Sequence, residues 1–299
     1  NLNSSSTILS IFKFYINNSI NFRCLSSVSQ KTYETNLKNI MNTKIVGRTL
    51  GSIKVSNLTS KHCSEAYNVW SDVSIDNANQ RSRILSVLLN YSISIDLINI
   101  NPMAKVKKLK HVPQSEVWTH SQVMTFLDMA FTKFEWRNIG LIALMCYEWS
   151  QRPTDIRLLK WDSLDLINSV VKIKQTKRGA TVELPIPEEL MPMLLQQKED
   201  WDWQQYVVPH HRLSDGAYVP ISGGQVNLIA NEIKKACSLP KNLHVGNLRK
   251  TAIVQMIDSG VDQLQIMSVT GHTCIQSLNP YHKHTLKSAT AALSRRDKT

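Results

Sequence analysis

The sequence predicts a mainly α-helical chain of the α+β class in two domains, and three observations predict it. Amphipathic patterns of helical period recur through residues 1–100. A proline-bracketed basic stretch then breaks the composition, and a single pair of period-2 runs around a glycine turn interrupts the helical patterning of the second half. With 299 residues, 42% of them hydrophobic, the chain is long enough for two cores of ordinary size and is not a disordered tail.

The first pattern, "STILSIFKFYINNS", puts Ile8, Ile11, Phe12, Tyr15 and Ile16 on one helix face. "SQKTYETNLKNIMN" repeats it with Tyr33, Leu37, Ile40 and Met41, and "NANQRSRILSVLLNYSISIDLI" supplies a third helix. Together they predict an all-helical domain over residues 1–104. The run from Ile8 to Ile16 contains Ser10 and Lys13 and has no small-residue cleavage site after it, so it reads as an amphipathic helix and not as a secretion signal. No run approaches membrane-spanning length.

In "NPMAKVKKLKHVPQSE", Pro102 and Pro113 bracket Lys105, Lys107, Lys108 and Lys110, with no acid before Glu116. Residues 105–117 are therefore expected to form a basic interdomain linker whose lysines follow a phosphate backbone. An ordinary solvated charge run is the alternative. The whole chain leans the same way: 35 Lys and Arg against 23 Asp and Glu give +12, which favours a polyanionic partner such as DNA or RNA, with a merely basic soluble protein as the alternative. The five cysteines, Cys24, Cys63, Cys146, Cys237 and Cys274, have no paired spacing and predict reduced thiols in a cytoplasmic setting.

The second domain, residues 118–299, opens with Thr119 as helix cap and Gln122 at the capping-box position. Helices are expected near residues 120–131 and 138–150. In "SVVKIKQTKRGATVELPIP", Val171 and Ile173, then Val182, Leu184 and Ile186, alternate with polar residues about Gly179, predicting a β-hairpin with a basic tip. Helices return near residues 224–237, 247–259, 262–269 and 285–295, with Gly260 and Gly271 at C-terminal ends. His210-His211 and Gly223-Gly224 read as polar loop.

Cleaving a phosphodiester without a metal needs cations for the non-bridging oxygens, an acid for the leaving oxygen and a nucleophile. Arginine suits the first task, because its fork binds phosphate bidentately and stays charged. The sequence is not read as holding a carboxylate cluster of the kind that binds catalytic metals, and His272, Cys274, His282 and His284 do not have the spacing of a closed zinc site. No metal and no cofactor is expected. What the chain does contain is Arg152 with Asp155 three residues on and Trp161 nine on, then Arg249, Gly260 eleven on, Gly271-His272, and Tyr281 nine residues beyond His272 in "GHTCIQSLNPY".

This set, in this order, resembles the tyrosine recombinase (phage integrase) family. The "INPMAKVKKLK" stretch is similar to the linker that joins that family's helical core-binding domain to its catalytic domain, so the resemblance covers nearly the whole chain. It implies that Arg152 and Arg249 clamp the scissile phosphate, Lys177 at the hairpin tip protonates the leaving 5′ oxygen, His272 donates a hydrogen bond to the phosphate, and Tyr281 attacks to give a 3′-phosphotyrosine. Lys174 and Arg178 share the hairpin with Lys177, and a shift of one register would move the acid. The implied partners are double-stranded DNA at specific sites, a homo-oligomer (a tetramer) on that DNA, and accessory bending or directionality proteins. The final segment, "LKSATAALSRRDKT", is expected either to dock on a neighbouring protomer or to pack within its own.

One position departs from the family pattern. Where a histidine is expected three residues before the second arginine stands Gly246, and the nearest histidine is His244. Either His244 reaches in, or the reaction proceeds without that group, or it is impaired. A non-catalytic DNA-binding relative therefore stands beside the integrase reading, as do an Xer-type resolvase, which the two-domain length suits, and a type IB topoisomerase, which shares the attack chemistry.

Overall fold

Serine and threonine side chains set where the helices begin. The computed structural model describes residues 2–45, 47–110, 116–177, 179–211, 216–281 and 293–294, and the chain divides into two units, Asn1–Pro113 and Gln114–Thr299. In the first, Thr7 caps α1 (Ile8–Asn18), Ser19 caps the single turn α2 (Ile20–Arg23) and Ser26 caps α3 (Ser27–Met41), each oxygen accepting from a first-turn N–H that has no helical partner. A two-residue antiparallel pair, β1 (Lys44–Ile45) and β2 (Arg48–Thr49), follows. Thr59, with a reciprocal bond from His62, starts α4 (Ser60–Ser71), and Ser74 starts α5 (Ile75–Ser94).

These helices bury one face each around Ile11, Phe12, Leu37, Ile40, Trp70, Leu85 and Leu89. The expected stripes are the ones that pack. The short strand pair was not legible, since two-residue strands carry no alternation; α4 was passed over although Cys63, Ala66, Tyr67 and Trp70 form its buried stripe.

The basic stretch starts as part of this first unit. Asn101 caps a 3₁₀ turn at Pro102–Lys105, and Val106 is buried in the helical core. The Leu109 N–H donates to the Tyr67 hydroxyl at 2.7 Å, Tyr67 donates to Asn79 Oδ1 at 2.8 Å, and Asn79 Nδ2 donates to the Leu109 carbonyl at 3.1 Å. This closed ring of bonds pins the backbone while Lys105, Lys107, Lys108 and Lys110 stay exposed.

In the second unit, Thr119 and Gln122 form the capping box of α6 (His120–Ala130), and α7 (Phe134–Glu148) runs through the core, buried at every position from Asn138 to Cys146. Gly140 lets α6 and α7 meet closely, because a Cβ there would sit 2.9 Å from that of Ala130. A single turn, α8 (Pro153–Arg157), precedes a three-stranded antiparallel sheet of β3 (Leu164–Asp165), β4 (Val170–Lys174) and β5 (Thr181–Pro185). Val171 pairs with Leu184 and Ile173 with Val182, so all four apolar side chains face inward.

Among the described residues there follow α9 (Met191–Trp201), α10 (Gly223–Ala236), α11 (Gly246–Asp258) and α12 (Gln263–Thr270), then a 3₁₀ turn at Ile275–Tyr281. Gly223 and Gly224 are not loop. Ser222 and Gln225 form a capping box around them, and first-turn residues need no side chain to serve as helix. Trp118 fixes the start of the unit against α11, its N–H bonded to Thr251 Oγ1 at 3.0 Å and its indole N–H to the His244 carbonyl at 3.1 Å. Among the described residues no helix is long and apolar enough to cross a membrane. Of the expected helix near residues 285–295, Leu293 and Ser294 are described and are helical, and the rest lies outside the described residues.

Candidate active site

The site begins where α7 stops. Ser150 takes a left-handed backbone angle, φ +51°, which turns the chain so that Gln151 is buried and Arg152 becomes the cap residue of α8, with Pro153 at its first position. A non-glycine residue in that region costs about 1 kcal/mol, a cost borne here at the entry to the site. The Arg152 side chain is 25% exposed, and its Nη1 lies 3.6 Å from Asp155 Oδ2.

Asp155 itself is buried, and its Oδ1 accepts from the Thr176 backbone N–H at 2.8 Å and the Thr176 hydroxyl at 2.7 Å. One carboxylate thus ties the helix that follows Arg152 to the tip of the β4–β5 hairpin. Lys177, the next residue, is exposed on that tip, and Gly179 turns it with φ +69°.

The second half of the site comes from α11 and α12. Arg249 projects from the first turn of α11 into the interior, only 6% exposed, and donates from Nη2 to the Thr270 carbonyl at 2.9 Å and from Nη1 to Gln151 Oε1 at 3.4 Å. Gly271 ends α12 in the left-handed conformation, φ +68°, its N–H returning to the Met267 carbonyl. That reversal brings His272 back beside Thr270, whose hydroxyl lies 2.7 Å from Nδ1. Because the hydroxyl's one hydrogen goes to the Ile266 carbonyl at 2.8 Å, its oxygen is left to accept from the imidazole N–H. The ring orientation is set by that bond. Tyr281 closes the 3₁₀ turn with its ring centroid 6.2 Å from that of His272, packed on the small cluster of Ile253, Ile266 and Leu278.

Burial, and next to it the charge of Arg152, pulls Arg249 down from its ordinary value to about 10. Tyr281 and Asp155 act in the opposite sense, each favouring the charged guanidinium. The group remains charged at neutral pH. Two neighbouring cations, one of them desolvated, make a place where a bound anion relieves both penalties.

The structure therefore brings Arg152, Arg249, His272 and Tyr281 around the Thr270-Gly271 step. It leaves the Lys177 ammonium exposed at the edge, joined to the cluster through the backbone of Thr176. Its hairpin neighbour Arg178, and His282 and His284, lie outside the described residues. His244 is exposed, and its carbonyl, not its ring, makes the bonds that hold the α11 entry, to Trp118 Nε1 and the Asn247 N–H. Gly246 is the first residue of α11, also exposed, with nothing within 4 Å of where a Cβ would stand and no left-handed angle.

Sequence reasoning passed over Gln151 and Gln175, both fully buried at the centre of the cluster. Gln175 had a signal. It continues the inward positions Val171 and Ile173, and a polar residue on the core side of an alternating run marks a place where polar partners converge.

The profile of the phage integrase family matches residues 116–287. No curated relative matches the chain in sequence. Among solved structures, a lambda integrase dimer bound to a COC′ core site is 16% identical with a TM-score of 0.74, over 90% of this chain and 96% of that one. The Tn1549 transposon integrase in complex with circular-intermediate DNA is 16% identical with a TM-score of 0.76, over 97% of this chain and 100% of that one. A lambda integrase tetramer bound to a Holliday junction is 17% identical with a TM-score of 0.75, over 93% and 78%. At these identities the likeness is one of fold.

The two glycines that flank the site are expected to differ in tolerance. At Gly271 a Cβ would meet Gln175 Nε2 at 2.7 Å in addition to the left-handed angle. Gly271→Ala should lose about 1–2 kcal/mol or more in urea unfolding, and Gly246→Ala should stay within about 0.5 kcal/mol of the parent. Equal stability of the two variants would contradict the geometry drawn for the Thr270-Gly271-His272 reversal.

Proposed function

The chain belongs to the phage integrase family, the tyrosine recombinases, and on that footing we propose that Arg152, Lys177, Arg249, His272 and Tyr281 carry out its strand cleavage and rejoining. The carrying observation is the convergence of two guanidiniums, an imidazole and a phenol on one helix-end reversal. Arg152 and Arg249 hold the non-bridging oxygens and stabilise the charge that builds on them in the pentacoordinate transition state. His272, whose Nδ1–H is held by Thr270, adds a hydrogen bond from Nε2 with its ring in the doubly protonated, imidazolium form. The Tyr281 oxygen bonds to phosphorus as its proton passes to solvent, giving a 3′-phosphotyrosine, and the 5′ oxygen leaves with a proton from Lys177. Rejoining is the reverse, and the covalent bond conserves the energy, so no nucleotide is consumed.

The substrate is double-stranded DNA at specific recombination sites, in keeping with the charge of +12 and with solved relatives described as bound to core-site, circular-intermediate and junction DNA. Lys105, Lys107, Lys108 and Lys110 project from a pinned backbone and neutralise phosphates without reading sequence. The working form on DNA is a homo-oligomer, a tetramer during strand exchange, aided by accessory bending or directionality proteins. Integration or excision of a phage or mobile element is the role that fits best.

A nicked suicide substrate tests the chemistry. Wild-type protein should accumulate as a covalent adduct on denaturing gels, and Tyr281→Phe should bind the same DNA with nearly equal affinity and form none. An adduct that persists in Tyr281→Phe, or maps to Tyr147 or Tyr218, contradicts the assignment. A wild-type protein that binds without trapping marks a non-catalytic relative.

The Gly246 departure is expected to be a missing donor and not a displaced one, given an exposed His244 whose backbone does the bonding. His244→Ala should leave single-turnover cleavage unchanged. Gly246→His, entering open space, should raise it, by up to about a hundredfold. A comparably large loss in His244→Ala would instead make His244 the substitute.

A further inference from the structure

Two buried amides stand between the arginines, and nothing in the chemistry above uses them. Gln151 Nε2 donates to the Trp149 carbonyl at 2.9 Å and the Val269 carbonyl at 2.7 Å. Its Oε1 accepts from Gln175 Nε2 at 2.8 Å and from Arg249 Nη1 at 3.4 Å. Gln175 Nε2 also donates to the Thr270 carbonyl at 2.8 Å, and its Oε1 accepts from Arg152 Nη1 at 3.4 Å. Every amide hydrogen is used. Only one orientation of each amide fits, because the Trp149, Val269 and Thr270 carbonyls accept and cannot donate.

The result is a chain of contacts from Arg152 through Gln175 and Gln151 to Arg249, with Thr270 accepting from both Gln175 and Arg249. We propose that Gln151 and Gln175 are positioning residues: their amide bridge sets the spacing of the two guanidiniums and locks that pair to the reversal that carries His272. The inference rests on the arginines' role given above. A neutral acceptor suits the task. A carboxylate in either place would orient a guanidinium equally well but would also neutralise it, competing with the phosphate the pair must bind. The same packing accounts for Gly271, where a side chain would displace the Gln175 amide.

The test compares single-turnover cleavage of an ordinary suicide substrate with one whose leaving 5′ oxygen is replaced by sulfur, which departs without a proton. Lys177→Ala should regain most of its lost rate on the sulfur substrate. Gln175→Met and Gln151→Met, close in shape but without the bridge, should cleave about tenfold to a hundredfold more slowly than wild type on both substrates, with DNA affinity unchanged. Gln175→Glu keeps the size and an acceptor, so it serves where thermal melting shows a Met variant unfolded, and it should lose at least as much.

Wild-type rates in the folded variants, losses that disappear with the sulfur leaving group, or binding that weakens in step with cleavage would each overturn the proposal. The control is Arg152→Ala: if it cleaves like wild type, the arginine assignment fails, whereas an inactive Arg152→Ala beside fully active glutamine variants removes the positioning role alone.

Discussion

Two neighbouring guanidiniums, one of them buried, set the constraint that the rest of the second unit satisfies. Like charges at short range repel, and burying Arg249 strips away the water that would screen them. The arrangement persists because other contacts hold it: Asp155 beside Arg152, two neutral glutamines between the side chains, and the Thr270 carbonyl beneath Arg249. None of these groups apart from Asp155 carries a charge that would compete for the cations. The core helix α7, the hairpin and the end of α12 are in effect the supports that deliver these groups.

Asp155 illustrates how fold and site are one construction. Its carboxylate is spent on the hairpin tip through Thr176, so the strand pair that carries Lys177 cannot drift independently of the helix that follows Arg152. A side chain read from the sequence only as a spacing mark turns out to be the mechanical link between the elements bearing the first arginine and the acid. Gly271 plays the corresponding part on the other side, reversing the chain so that His272 returns beside Thr270 and Tyr281 follows nine residues later over the same small cluster. The regular Gly-His-to-Tyr interval is the length of one loop and one 3₁₀ turn.

Much of this was legible because it depends on local chemistry. The cap at Thr119, the stripes of α1 and α3, the alternation of Val171 and Ile173, and the helix-ending Gly271 are each decided within a few residues. The paired glutamines were not, because Gln151 and Gln175 meet across a separation of 24 residues and acquire meaning only beside Arg152, Arg249 and Thr270. Gly223 and Gly224 misled for a related reason: their composition suggests a loop, and the capping residues on either side, Ser222 and Gln225, override it. Strands as short as β1 and β2 leave no pattern to find.

The arginine pair exists, on this reading, to carry the charge of one phosphate. A suicide substrate with a methylphosphonate at the cleavage position removes that charge while leaving the phosphorus open to attack. Arg249→Ala, which should be inactive on the natural phosphate, should recover a substantial part of its cleavage on the neutral substrate, because no non-bridging anion is left to stabilise. Equal inactivity on both substrates, with the protein folded and bound to DNA, would contradict the account.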